Sequence, residues 1–217
     1  MTIVDVWARV AVERRTLADF LETLSPGEWD VPSLCRGWKV RDVVAHVAWA
    51  AMQPQLPTML GYARGGFRVN RVNAENARGW AGCEPAVMVE RLRAVADDRR
   101  HSSIITDRHV LADLMVHDLD VRRPLGRSRD LPVEAFRLTA DLLADTGGLL
   151  GTAFARSPRR TVRGLRLIAT DLDWSHGQGR LEVRGSAEAL LLALTGRPIA
   201  TDELTGSGVA ALYARLR

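Results

Sequence analysis

The residues best suited to chemistry lie in one stretch, positions 110–126, which reads V-L-A-D-L-M-V-H-D-L-D-V-R-R-P-L-G. It carries Asp113, His117 and Asp120 at spacings of four and three residues. In a helix these spacings place all three side chains on one face. An acid and an imidazole one turn apart can share a metal ion, but the same pair also fits a solvated Asp and a structural His. A third ligand is therefore needed from elsewhere in the chain.

His46 is the candidate for that third ligand. We predict a helix over residues 40–61, in which Val40, Val43 and Val47 form an apolar face and His46 lies beside it. A histidine beside an apolar stripe is equally the pattern of a buried structural residue, so both interpretations stay open.

Several amphipathic segments must position these residues. We predict further helices over residues 3–24, 69–80, from 84 to 99, after a cap at Thr106 or Asp107, and over 132–150. In the first of these, Glu13, Arg14 and Arg15 are expected on the solvent face. Such a series of helices favours an antiparallel bundle up to residue 155, and bundles hold metal sites between facing helices.

The pattern changes after residue 155. Residues 161–173 alternate apolar and polar side chains, and residues 181–183 form a second short strand pattern. Ser186 then caps a helix over 187–195 that Gly196 ends. We therefore predict two domains, a helical bundle over 1–155 and a small α+β module over 156–217.

Composition excludes several classes of protein. Ten of the 30 basic residues and six of the 26 acidic residues follow position 155, which is not the broad basic face of a nucleic-acid binder. Cys35 and Cys83 make no disulfide framework. We find no signal segment, and the longest apolar run, residues 189–194, is too short to span a bilayer. We expect a cytoplasmic protein that binds neither membrane nor nucleic acid, as a monomer or homodimer.

Three motifs in order carry a family resemblance: G-W-K-V-R-D-V-V-A-H, D-L-M-V-H-D-L-D-V-R-R-P-L-G, and the tail D-W-S-H-G followed by V-R-G-S-A-E-A-L-L-L-A-L-T-G-R-P. Together they resemble the mycothiol-dependent maleylpyruvate isomerase family of DinB-like metalloenzymes. The resemblance extends from about residue 17 to residue 215. It implies a mostly α fold, in which a DinB-like antiparallel four-helix bundle precedes a sterol-carrier-like α+β domain.

The resemblance also implies a metal site. The family holds a divalent metal, commonly zinc, with a histidine on the second bundle helix and an acid-x-x-x-His pair on the third. The matching residues are His46, Asp113 and His117. The isomerase pattern has Glu where this chain has Asp113, so the ligand here is one methylene shorter. Another departure is Lys39, where relatives tend to carry a Ser or Thr cap.

Two neighbouring residues have alternative roles. Asp120 either accepts a hydrogen bond that orients His117 or pairs with Arg122 or Arg123 in a structural network. Cys35 precedes the His46 helix in a loop, and we interpret it as a buried filler in preference to a nucleophile.

The implied reaction uses mycothiol, the sugar-linked cysteine thiol of actinobacteria, as cosubstrate. The activated thiolate adds to a small electrophilic acid such as a maleylpyruvate, giving either isomerisation or S-transfer. Arg197 aligns with a Gly-Arg of the family and is the first candidate for catalytic charge stabilisation. Arg68, Arg71 and Arg78 are further candidates for binding the cofactor. Two alternatives remain: a non-catalytic metal or ligand binder of this fold, and a family member repurposed in secondary metabolism without mycothiol.

Overall fold

The computed structural model of this chain describes residues 5–50, 69–101, 105–147, 158–197 and 202–216. The chain divides into two compact units, residues 1–128 and 129–217. The domain boundary predicted at residue 155 lies outside the described residues. Most described residues are helical, and a small three-stranded sheet lies near the C-terminus, which confirms the mostly α class. None of the described helices is long and apolar enough to cross a bilayer.

The first unit contains five α-helices among the residues described. They are α1 (Val6–Leu21), α2 (Val40–Ala50), α3 (Val69–Ala81), α4 (Pro85–Ala94) and α5 (Asp107–Arg122). Helix α2 packs against α3, α4 and α5, and α1 packs against α4 and α5. The shared core includes Leu17, Val43, Met115 and Leu119, all of which are buried. The part of the predicted second helix beyond residue 50 lies outside the described residues.

Local capping fixes where α1 and α2 begin. The Asp5 carboxylate accepts hydrogen bonds from the backbone N–H groups of Trp7 and Ala8. At α2, the Asp42 carboxylate accepts from the backbone N–H of Lys39 at 2.8 Å. This is the half of a capping box that an acid in the first turn supplies, and it helps to fix the start of α2 although Lys39 offers no side-chain acceptor.

One expectation for α1 is wrong. Arg14 is buried, and its guanidinium donates hydrogen bonds to the carbonyl oxygens of Val95 at 2.7 Å and Asp98 at 2.8 Å. Glu13 is buried as well, whereas Arg15 is exposed. Arg14 thus supplies hydrogen-bond donors to carbonyl oxygens just after the end of α4. Helical periodicity alone does not predict this structural role.

The second unit is built on a short sheet. Its elements are α6 (Val133–Asp145), α7 (Pro158–Thr161), β1 (Leu165–Ala169), β2 (Ser175–His176), β3 (Leu181–Gly185), α8 (Ala187–Leu194) and α9 (Val209–Leu216). The strand order is β2-β1-β3, with β1 antiparallel to β2 and parallel to β3. Helix α8 packs on β1, β3 and α6. Because α8 is buried along its whole length, other elements must pack against it on several sides.

The burial of α8 explains the position of α6, which packs against it. The sequence assigned this helix to the N-terminal bundle, but in the structure it lies in the second compact unit and packs against α7 and α8. Phe136 of α6 is fully buried and meets Trp174 edge to face, with ring centroids 5.2 Å apart. The Trp174 indole N–H also donates to Asp141 of α6 at 2.9 Å.

Candidate metal centre

Packing of α2 against α5 brings the three predicted ligands together. One donor atom from each of His46, Asp113 and His117 lies within 4.8 Å of the other two. The Nε2 atom of His46 is 3.5 Å from Asp113 Oδ2, and the Nε2 atom of His117 is 3.4 Å from Asp113 Oδ1. The carboxylate therefore lies between the two imidazoles, and the shorter Asp side chain reaches both.

The cluster is enclosed on the histidine side and open on the carboxylate side. His46 is buried, and its ring is flanked edge to face by Trp38 and His117, with centroids 5.6 Å and 5.0 Å away. The side chain of Asp113 keeps 35% of its surface exposed. A small ion or ligand can therefore approach from the side of Asp113.

Asp113 and His117 shift each other's pKa values. Burial raises the pKa of Asp113, but the charge of His117 and the contacts with both imidazoles together outweigh it and hold that pKa far below its usual range. Burial lowers the pKa of His117, yet the charges of Asp113 and Cys35 and the contacts with Asp113 and Asp120 together raise it well above the ordinary value. An ionised carboxylate held between two imidazoles is an environment that favours a cation.

Asp120 fixes the orientation of the His117 ring. Its carboxylate is fully buried, and Oδ2 is 2.9 Å from His117 Nδ1. A carboxylate that accepts from one imidazole nitrogen sets the direction of the other, the usual arrangement behind a metal-binding histidine. Of the two interpretations left open by the sequence, this contact matches the first. Arg122 instead pairs with Asp118, with Nε 2.8 Å from Oδ1.

Cys35 belongs to the same network, which sequence reasoning missed. Its Sγ atom lies 3.0 Å from Asp120 Oδ2 and 3.7 Å from His117 Nδ1, and the residue is partly exposed. The interpretation as a buried filler is therefore wrong. The loop reaches α5 because the backbone N–H of Leu34 donates to the Asp120 carbonyl oxygen at 3.1 Å. Residue spacing in the sequence does not predict this contact.

The predicted arginines lie elsewhere in the chain. Arg197 follows α8 in the second unit, where its Nη1 donates to the Thr195 carbonyl oxygen at 3.2 Å. Arg78 is exposed in the last turn of α3. Arg71 lies in α3 with its side chain outside the described set, and Arg68 is outside the described residues. Their functional roles stay predictions.

Comparison with known families bears on this site. Residues 10–103 match the family model described as the mycothiol maleylpyruvate isomerase N-terminal domain. The resemblance to this family is confirmed. The matched segment contains His46 and Cys35 and ends before Asp113, so the two halves of the cluster have different support. The α2 half rests on the family match, and the α5 half rests on geometry and motif.

Solved structures extend the likeness along the chain. One is the crystal structure of the mycothiol-dependent maleylpyruvate isomerase, with 19% identity and a TM-score of 0.52. Another is a histidine-to-alanine mutant of that enzyme, with 18% identity and a TM-score of 0.52. Each match covers 95% of this chain and 96% of the other. At this identity the likeness shows a shared fold. None of the curated proteins matches this chain.

The donor set fits a divalent metal. Two imidazoles and one carboxylate form a ligand set found in catalytic zinc sites, where an open position remains for water or substrate. The buried Nδ1 atom of His46 has no hydrogen-bond partner within the described structure, so no protein acceptor fixes which nitrogen of this ring carries the proton. The residues present are therefore compatible with zinc, and His117 is the better oriented of the two imidazoles.

Proposed function

We propose that this chain is a divalent-metal-dependent enzyme that activates a low-molecular-weight thiol for isomerisation or S-transfer on a small, electrophilic, anionic substrate. The convergence of His46, Asp113 and His117 on one point is the observation that carries the proposal. The family match makes mycothiol the thiol of choice and a maleylpyruvate-like acid the first substrate to test.

His46, Asp113 and His117 would hold the ion, with zinc as the best fit to two nitrogens and an oxygen. When bound, such an ion lowers the pKa of a coordinated thiol, which is about 8.5 in the free state, so that the thiol is held as the nucleophilic thiolate. Asp120 accepts a hydrogen bond from the Nδ1–H of His117 and so presents the Nε2 lone pair toward Asp113. Trp38 covers His46 and keeps water from that side.

The anionic substrate requires a cation, and we propose Arg197 for this role, with Arg68, Arg71 and Arg78 binding the thiol cofactor. If the thiol adds, the adduct rotates and the thiol leaves, the outcome is isomerisation. If the thiol stays, the outcome is S-transfer. We further propose that the N-terminal part, predicted over residues 1–155, is a DinB-like four-helix bundle, and that the C-terminal part, predicted over residues 156–217 and extended by α6, is a sterol-carrier-like domain.

Metal analysis of purified protein tests the site. We expect native protein to carry an equimolar amount of metal, and His46→Ala and His117→Ala to lose it. His109→Ala is the matched control, because His109 is buried on the same helix α5 and is not part of the proposed metal site. Equal metal content in all four proteins would contradict the proposed site.

Turnover tests the reaction itself. Native protein should convert maleylpyruvate only when mycothiol is present, and mass spectrometry separates a rearranged product from one that retains the thiol. If metal is bound but no thiol-dependent turnover occurs with a panel of electrophilic acids, the chain is a non-catalytic binder or a repurposed member of the family.

A further inference from the structure

The imidazole of His117 faces a polar cluster at each of its two nitrogens. Nε2 faces Asp113, as described above. Nδ1 lies 2.9 Å from Asp120 Oδ2 and 3.7 Å from Cys35 Sγ, and these last two atoms are 3.0 Å apart. One donor atom from each of Cys35, His117 and Asp120 therefore lies within 4.8 Å of the other two. This second cluster shares only His117 with the first.

The second cluster is held in place by the backbone. The Cys35 backbone N–H donates to Ser33 Oγ at 3.2 Å, and the Trp38 N–H donates to the Cys35 carbonyl oxygen at 2.9 Å. The Leu34 N–H then ties the loop to α5 through the Asp120 carbonyl oxygen. The sulfur is therefore fixed over the helix before any ion arrives. Asp120 is fully buried, whereas Cys35 is partly exposed and gives an ion a way in.

We propose that Cys35, His117 and Asp120 form a second metal site for thiophilic divalent ions such as cadmium, with cobalt as its spectroscopic probe. A thiolate, an imidazole nitrogen and a carboxylate oxygen are all ligands of borderline-soft metals, and the thiolate favours softer ions over magnesium or calcium. The first cluster offers only nitrogen and oxygen donors, so the two clusters differ in the ions they prefer.

The two sites compete for one ring. On binding at the second site, the Cys35 thiol and the Nδ1 atom of His117 each release a proton to solvent, and His117 binds through the Nδ1 lone pair so freed. The neutral ring then keeps its proton on Nε2, which faces Asp113 at 3.4 Å and can donate to it. A neutral His117 therefore serves one ion at a time, and a thiophilic ion at the second site removes His117 from the first. The inference needs neither His46 nor the proposed thiol reaction.

Cobalt titration of metal-free protein tests the proposal, because Co²⁺ bound to a thiolate shows a charge-transfer absorption in the near ultraviolet. We expect this band in native protein and in Cys83→Ala, and its loss in Cys35→Ala. Cys83 is the matched control, since it has the same partial exposure, lies in the same unit and belongs to neither cluster. Cys35→Ser provides a second test, because serine retains a hydroxyl donor for Asp120 but gives no thiolate band.

His46→Ala separates this inference from the proposed function. This variant should lose the metal of the first site and keep the cobalt–thiolate band, whereas His117→Ala should lose both. The proposal is overturned if native protein shows no band, if the band survives in Cys35→Ala and Cys35→Ser, or if Cys83→Ala removes it. If zinc analysis finds the native amount of metal in His46→Ala, the first site is contradicted, whereas the second site is not affected by that result.

Discussion

Helix α5 carries two acid–base pairs at the same spacing of four residues, and their surroundings differ. Asp113 and His117 lie 3.4 Å apart with the carboxylate partly exposed, and α2 adds His46 to them. Asp118 and Arg122 lie 2.8 Å apart and are both buried. The first pair meets another imidazole, whereas the guanidinium of the second lies 3.8 Å above the ring of Phe20 in α1.

This difference shows that the neighbouring helix decides what a pair on α5 does. An aromatic ring over Arg122 shields the charge pair from solvent and adds no metal-ligating donor to it. A second imidazole beside Asp113 adds a donor instead, and three donors directed at one point form a cation site. The two pairs should therefore respond oppositely to mutation: one should set stability, and the other should set metal binding.

Arg122→Ala should have the largest effect on stability. It leaves the Asp118 carboxylate buried without its guanidinium, and breaking a buried ion pair on one side costs about 3–5 kcal/mol. We expect the free energy of unfolding in urea to fall by that amount, while the metal content of the folded protein stays at the native level. Arg99→Ala is the control, because its ion pair with Asp5 is exposed and should leave the unfolding free energy nearly unchanged. Loss of metal in Arg122→Ala would show that the two pairs are not independent.

Asp120→Asn tests the support behind the first pair. The amide is a weaker acceptor than the carboxylate, so His117 should be less well oriented and less basic toward the metal. Loss of such an outer hydrogen bond typically lowers metal affinity about 10–100-fold. Competition with a chromophoric chelator measures this affinity. An unchanged affinity would mean that Asp120 does not orient the ligand.

The pH dependence of metal binding follows from the raised pKa of His117. Below that pKa the ion must displace a proton, so the affinity should rise about tenfold per pH unit and become flat above it. In metal-free protein the protonated ring stabilises the fold fully below its unfolded pKa of about 6.5, and this stabilisation is lost as the pH rises through the raised folded pKa. Chelator competition and urea unfolding across this window measure both trends. His109→Ala should show the same slope of affinity, since it keeps His117.

Sequence reasoning predicted the parts of this comparison that depend on local spacing. Asp113 and His117 could be placed on one face by counting residues, and the apolar pattern of the second helix offered His46 as the third ligand, which the family motif then supported. Contacts between elements could not be predicted in this way. The loop hydrogen bond that brings Cys35 to Asp120, and the carbonyl contacts of the buried Arg14, join residues about 80 positions apart. The position of α6 could not be predicted from local spacing either. Only the burial of α8 shows that α6 packs in the second unit.

The smallest expected effect concerns the start of α5, where a third histidine has a purely structural role. The backbone N–H of Thr106 is 3.2 Å from Nδ1 of His109, which must be neutral to accept. Burial lowers the pKa of His109, so the stability it adds is fully present above about pH 6.5 and is lost as the pH falls toward the lowered folded pKa. His109→Ala should cost about 1 kcal/mol, as removal of a helix cap does, and should remove this part of the acid sensitivity. Urea unfolding of native and mutant protein at two pH values measures both effects, with His101→Ala as the control. If His109→Ala leaves the acid sensitivity unchanged, another group of the fold causes that sensitivity.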